Sequence, residues 1–197
     1  MTHHHSTSFS EVLADDIRRV LLRSPAKTCA LDPLQTYVLL EVVEVLPFIY
    51  VMCNTSLRED SFPRTQKTAI IMPALKKQIA DPDEPKSYRL ISNLTFILKV
   101  LERIVMDQVT QHLEEADLMT EFHSVYCNHH YIESALMKGF SDILDAADSR
   151  QVTLLAFLDL SAAFDTVDHE ILLLRLATSF GVGGFVLAWL KSSLSAR

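Results

Sequence analysis

The run Val152-Thr153-Leu154-Leu155-Ala156-Phe157-Leu158 is uncharged, does not alternate between polar and apolar residues, and stops at Asp159. A strand with one wet face carries a polar residue at every second position, so this run reads as a strand buried on both faces in the middle of a sheet. A sheet must surround it, and the helical segments on either side make the expected fold class α+β.

Those helical segments are legible from spacing. Ser8 followed by Glu11 has the capping-box pattern, and Leu13, Ile17, Val20 and Leu21 repeat at helical intervals until Ser24-Pro25. Asp32-Pro33 is expected to open a second helix, with Asp32 as its cap and Pro33 at its first position, running through Leu34, Val38 and Val42 towards Pro47. Thr68 to Met72 is a short β-prone run flanked by Arg64, Lys67, Pro73 and Lys76-Lys77, and Asp81-Pro82-Asp83-Glu84-Pro85 is an acidic, turn-rich loop. Ile97, Leu101, Ile104 and Val105 mark a helix towards Leu113, and Leu136, Phe140, Ile143 and Leu144 mark another with an apolar face. Beyond the buried run, a helix through Ile171, Leu172, Leu174 and Leu176 stops near Gly181-Val182-Gly183-Gly184, and a last one starts at Phe185.

Composition narrows the function. With 49% hydrophobic and 22% charged residues in 197 positions, the chain has apolar material for one or two globular units. A net charge of −7 and a pI near 5.6 exclude a surface that grips phosphate throughout, because that affinity comes from Lys and Arg; any nucleic-acid site must be local. Cys29, Cys53 and Cys127 are far apart and odd in number, which indicates neither a disulfide framework nor a zinc knuckle and points to a reducing, intracellular setting. Met1 to Ser10 lacks the pattern of a secretory signal, and Leu39 to Cys53, broken by Glu41, Glu44 and Pro47, falls short of a membrane span.

A carboxylate at the exit of a buried strand needs a reason. Asp159 could hold magnesium, a hard cation that takes carboxylate oxygens and substrate phosphates; by spacing alone it could equally cap the next turn. Asp165 and Asp168 suit the positive end of the helix that follows, and Phe164 is by default a core aromatic. Lys76, Lys77 and Arg89 form the one phosphate-binding cluster that the charge pattern offers, with a solvated basic face as the alternative. His123, His129 and His130 beside Cys127 lack a second ligand pair at zinc spacing and read as surface loop residues. A phosphatase role for Asp159 is disfavoured because Ser161, rather than an acid, stands two places on.

Four segments carry a resemblance. They are Lys27-Thr28-Cys29-Ala30-Leu31-Asp32-Pro33-Leu34; Phe62-Pro63 with Lys67-Thr68-Ala69-Ile70-Ile71-Met72-Pro73-Ala74-Leu75-Lys76-Lys77; Tyr88-Arg89-Leu90-Ile91-Ser92-Asn93-Leu94 with Lys99-Val100-Leu101-Glu102-Arg103-Ile104; and Leu158-Asp159-Leu160-Ser161-Ala162-Ala163-Phe164-Asp165-Thr166-Val167-Asp168-His169. In order and spacing they resemble the reverse transcriptase of LINE-type (non-LTR) retrotransposons: the lead-in to the fingers, two finger motifs and palm motif A. The resemblance implies that Asp159 is catalytic and binds Mg2+, that the Leu160 carbonyl joins the coordination, and that Phe164 crowds the sugar 2′ position. Such crowding rejects ribonucleotides, because the 2′-OH is what distinguishes the sugars. It implies that Lys76 or Lys77, with Arg89, holds the triphosphate of the incoming dNTP, and that the partners are an RNA template and a DNA primer.

The chain departs from the family in several places. Leu90 stands where the family has proline after the motif arginine, and Cys127 lies about where it has another arginine. Arg197 comes before any counterpart of the later Tyr/Phe-Ala-Asp-Asp hairpin, and the only Asp-Asp pair, Asp15-Asp16, sits in the first helix. The expected fold is thus a partial right-hand polymerase: a helical N-terminal extension over residues 1–61, fingers over 62–147, and an incomplete palm over 148–197. The expected function is RNA-directed DNA polymerase by descent, inactive as an isolated chain, soluble or self-associating through the exposed palm strand, and located in nucleus or cytoplasm. The alternatives are a non-catalytic RNA- or protein-binding fragment and a translated transposon remnant without function.

Overall fold

Apolar spacing in a helix only pays out when another surface covers it, and the chain supplies that cover from distant segments. In the computed structural model, residues 5–25, 27–41, 43–63, 67–79, 81–119, 132–158 and 166–195 are described. The helices are α1 (Ala14–Arg23), α2 (Thr36–Glu41), α3 (Leu46–Arg58), α4 (Phe96–Glu115), α5 (Ile132–Asp148), α6 (His169–Ser179) and α7 (Gly184–Leu194). Strands β1 (Ile70–Leu75) and β2 (Tyr88–Asn93) pair antiparallel, so the fold is mixed helix and sheet. Two units separate: Met1–Ala116 with His169–Arg197, and Asp117–Asp168.

The first unit is built on α4. Its Phe96, Leu98, Val100, Leu101, Ile104 and Val105 are buried, and they meet Ile17, Val20 and Leu21 of α1 and Ile49, Cys53 and Leu57 of α3 in one core. Each such side chain contributes about 2 kcal/mol by leaving water. Trp189 of α7 enters the same core between Phe9 and Phe62, with edge-on rings at centroid distances of 6.0 and 5.5 Å. Its indole N–H donates to Ser56 Oγ at 2.9 Å, which removes the penalty of burying that donor.

The capping box expected at Ser8 and Glu11 does not form, and α1 starts only at Ala14. The preceding backbone is already engaged. Val12 N–H donates to Asn54 Oδ1 at 2.9 Å and Val12 O accepts from Asn54 Nδ2 at 3.0 Å, while Gln108 holds Ser10 in the same two-way manner at 2.9 and 3.1 Å. Further back, Ser6 exchanges backbone bonds with Gly181 and Gly183, and Thr7 O accepts from Phe185 N–H. Extended residues cannot also close helical bonds, so the helix waits for Leu13, whose N–H donates to Asp16 Oδ2.

Asp32 does not cap the second helix either. Its two oxygens accept from Cys29 N–H and from Phe96 N–H, both at 2.7 Å, so the carboxylate sits at the amino end of the 20-residue α4. Thr28 Oγ1 takes over at α2, accepting from Thr36 N–H at 3.0 Å. Pro47 lies in the first turn of α3, where its missing N–H costs nothing.

The second unit contains α5, which ends where Gln151 N–H bonds to Ala146 O and Arg150 N–H to Ala147 O, with Arg150 at φ 57°. That is a Schellman closure with arginine in the left-handed position usually given to glycine. Leu136, Met137, Phe140 and Leu144 of α5 are exposed. The expected buried strand at Val152 to Leu158 is not formed: the segment has no ladder, and Val152 and Leu154 are 99% and 94% exposed. A strand exists only through bonds to a neighbour, and among the described residues β1 and β2 pair solely with each other.

Candidate functional site

The sheet register decides what the finger residues can do together. Ile70 faces Asn93, Met72 faces Ile91 and Ala74 faces Arg89. Side chains alternate along a strand, so Arg89 shares a face with Ala74, and Lys76, two places beyond Ala74, falls at the same parity. Lys76 N–H continues the ladder to Ser87 O at 2.8 Å, and its ammonium donates to Lys86 O at 2.7 Å. Lys77 takes the opposite parity. The connecting loop is pinned by Tyr88 Oη, which donates to Pro82 O at 3.0 Å, and by Asp83 N–H on Asp81 Oδ1.

Lys76, Lys77 and Arg89 are all exposed, so the hairpin presents its cations to solvent. The β-prone run expected at Thr68 to Met72 thus becomes β1, shifted towards Leu75. The second strand, which carries Arg89, coincides with the motif segment Tyr88 to Leu94, where no strand is expected from the sequence.

Lys67 behaves differently from the other lysines of the basic stretch. Its Nζ donates to Ser192 O at 2.8 Å, Ser195 O at 2.9 Å and Ser195 Oγ at 3.3 Å, at the carboxyl end of α7. No local pattern could announce this role, since the acceptors lie 125 and 128 residues further along.

Asp159, Leu160 and Phe164 lie outside the described residues, as do Cys127 and the three neighbouring histidines. Among the described residues no three His, Cys, Asp or Glu side chains converge as metal ligands, and no helix is long and apolar enough to cross a membrane. A groove of about 720 Å3 between residues 5–12, α1 and α4 carries Arg19, Arg23 and Arg103 alongside Asp16, Asp107 and Glu115. Its mixed charge gives no preference for an anion.

The model of the family "Reverse transcriptase (RNA-dependent DNA polymerase)" matches residues 75–196, from the end of β1 through α7, and the chain belongs to that family. Its relatives are the polymerases of non-LTR elements. The chain is 31% identical over 154 residues to the probable RNA-directed DNA polymerase from transposon X-element of Drosophila melanogaster, covering 78% of this chain and 17% of that protein. It is 24% identical over 172 residues to the RNA-directed DNA polymerase from mobile element jockey of the same fly, covering 86% and 19%. The jockey polymerase of Drosophila funebris is 30% identical over 134 residues, covering 67% and 14%. The chain therefore spans less than a fifth of the length of these relatives, between 14% and 19%.

Proposed function

We propose that the chain is part of the polymerase domain of a non-LTR retrotransposon reverse transcriptase, with residues 1–61 as helical extension, 62–147 as fingers and 148–197 as the beginning of a right-hand palm. The observation that carries this is the family match from residue 75 to 196, which takes in β2 and the Asp159 segment. The substrates of that reading are an RNA template, a DNA primer and a dNTP.

In this reading Arg89 and a lysine of the hairpin hold the triphosphate. The alternation of β1 favours Lys76 over Lys77, since Lys76 shares the parity of Arg89. Arginine contributes a planar fork that grips two phosphate oxygens, and lysine a point charge. Phe164 crowds the sugar 2′ position, and Asp159 with the Leu160 carbonyl supplies oxygen ligands for Mg2+. A bound magnesium pair steadies the attacking and leaving oxygens of phosphoryl transfer. One carboxylate and one carbonyl are too few ligands for such a pair, so polymerisation is not expected from this chain by itself. The exposed Val152 to Leu158 run is proposed as a route to self-association.

The test is magnesium-dependent extension of a DNA primer on an RNA template. The chain alone should make no product. A longer form carrying the later palm hairpin should extend the primer, and Asp159→Ala in that form should abolish extension. Undiminished extension by the Asp159→Ala form would remove Asp159 from the site. The second reading, RNA binding without catalysis, is favoured by the solvent-facing hairpin cations, and it requires affinity that falls with salt and weakens in Lys76→Ala and Arg89→Ala.

A further inference from the structure

A lysine ammonium has three donors, and Lys67 directs all three at the carboxyl end of α7. The acceptors are the Ser192 carbonyl, which also accepts from Ser195 Oγ at 2.9 Å, the carbonyl of the C-cap Ser195, and the Ser195 hydroxyl. The charge also lies at the negative end of the α7 dipole. A second bond joins the same place: Phe62 N–H donates to Ser192 Oγ at 3.1 Å. The chain leading into the hairpin is thus tied to the end of α7 at two points, eight and three residues before Ile70.

The far end of this tie is packed into the core. Trp189, one turn before Ser193, is 2% exposed, is flanked by Phe9 and Phe62, and bonds to Ser56 of α3. The faces of the hairpin are open, with Ile71, Met72, Leu90 and Ile91 exposed, while β2 runs within two residues into α4 and Asn93 O accepts from Cys29 Sγ at 3.7 Å. The β2 side of the root is held by α4 and the β1 side by the tie to α7, and together they determine where Lys76 and Arg89 are held.

We propose that Lys67 is a positioning residue that holds the root of the β1–β2 hairpin on α7, and that it is not itself a phosphate ligand. The inference rests on the reading of Lys76 and Arg89 as triphosphate-binding residues. It adds that the carboxyl end of α7 aims them.

The experiment compares the full chain with its Lys67→Met, Lys67→Arg and Lys76→Ala variants by two measurements. The first is hydrogen exchange at the ladder amides of β1 and β2, with α4 amides as internal reference. Lys67→Met should raise hairpin exchange about tenfold relative to α4, and Lys67→Arg, which keeps a cation with several donors, should restore most of the protection. The second is the salt dependence of binding to an oligoadenylate RNA. Lys67→Met should leave the slope of log affinity against log salt unchanged, whereas Lys76→Ala should make it shallower by about 0.7.

Unchanged hairpin exchange in Lys67→Met would overturn the proposal, and so would a loss of slope equal to that of Lys76→Ala. If the unsubstituted chain bound no RNA, the phosphate-binding reading of the hairpin would fall, while the exchange comparison would still decide whether Lys67 holds it.

Discussion

The side-chain amide of Asn54, buried in α3, pairs with both backbone groups of Val12, accepting from its N–H at 2.9 Å and donating to its carbonyl at 3.0 Å. It acts on residue 12 as a neighbouring strand would, and its Nδ2 also donates to Tyr50 O at 3.2 Å. Asn54→Ala leaves two buried backbone groups of Val12 without partners, which should cost about 2 to 4 kcal/mol in urea unfolding. Asn54→Asp keeps the acceptor but sets a carboxylate against two carbonyl oxygens, and should be no more stable. The single Trp189 lies in this core and reports the transition by fluorescence.

Gly184 opens α7 at φ 49°, and a Cβ there would stand 2.5 Å from Thr7 O. Gly184→Ala therefore meets both a disfavoured backbone conformation and a backbone oxygen that cannot swing aside. A loss of about 2 kcal/mol or more is expected, with α6 and α7 exchanging amide hydrogens faster than α4. Gly139→Ala is the control: nothing lies within 4 Å of its added Cβ, and helix propensity should make it neutral or stabilising.

Burial pushes the Cys53 thiol from its ordinary 9.0 up to about 12. Between those values the unfolded chain releases the proton and the folded chain keeps it. The contribution of Cys53 is therefore constant below pH 9.0 and lowers stability as pH rises through the window, by up to about 1.4 kcal/mol per unit. Tyr50 adds to the fall above 10.0, because its hydroxyl donates to Glu11 and the charge of Glu11 opposes ionisation. Urea unfolding from pH 8 to 11 checks the slope, and Cys53→Ala should flatten its first part while leaving the Tyr50 part.

Leu154 and Phe157 are 94% and 83% exposed in a segment without a ladder. Replacing both with Glu should leave the unfolding midpoint within error and reduce self-association, measured by sedimentation velocity. If the double variant sediments like the original chain, the run is not the contact.

Helices α1, α4, α5, α6 and α7 could be read from spacing because an amphipathic period is local: each residue's neighbours on the same face lie three and four positions away. The glycines after α6 and the Asp-Pro loop before β2 are local signals of the same kind. Asp32 shows where such reading fails. The pattern Asp-Pro suits a helix start, yet the carboxylate serves Phe96, because an oxygen caps whichever amide end is brought to it. Val152 to Leu158 shows the other limit, since an apolar run specifies a strand only in the presence of the strands beside it.

The sequence by itself determined the family, through the order of motifs from Lys27 to His169, and most of the helices, through their apolar period. It also named Lys76 and Arg89, but not their common face. That required the pairing of residue 74 with residue 89, and the roles of Lys67, Asn54 and Asp32 required partners 125, 42 and 64 residues away. Hydrogen bonds of that reach form only after the core has assembled, so tertiary structure alone could decide them.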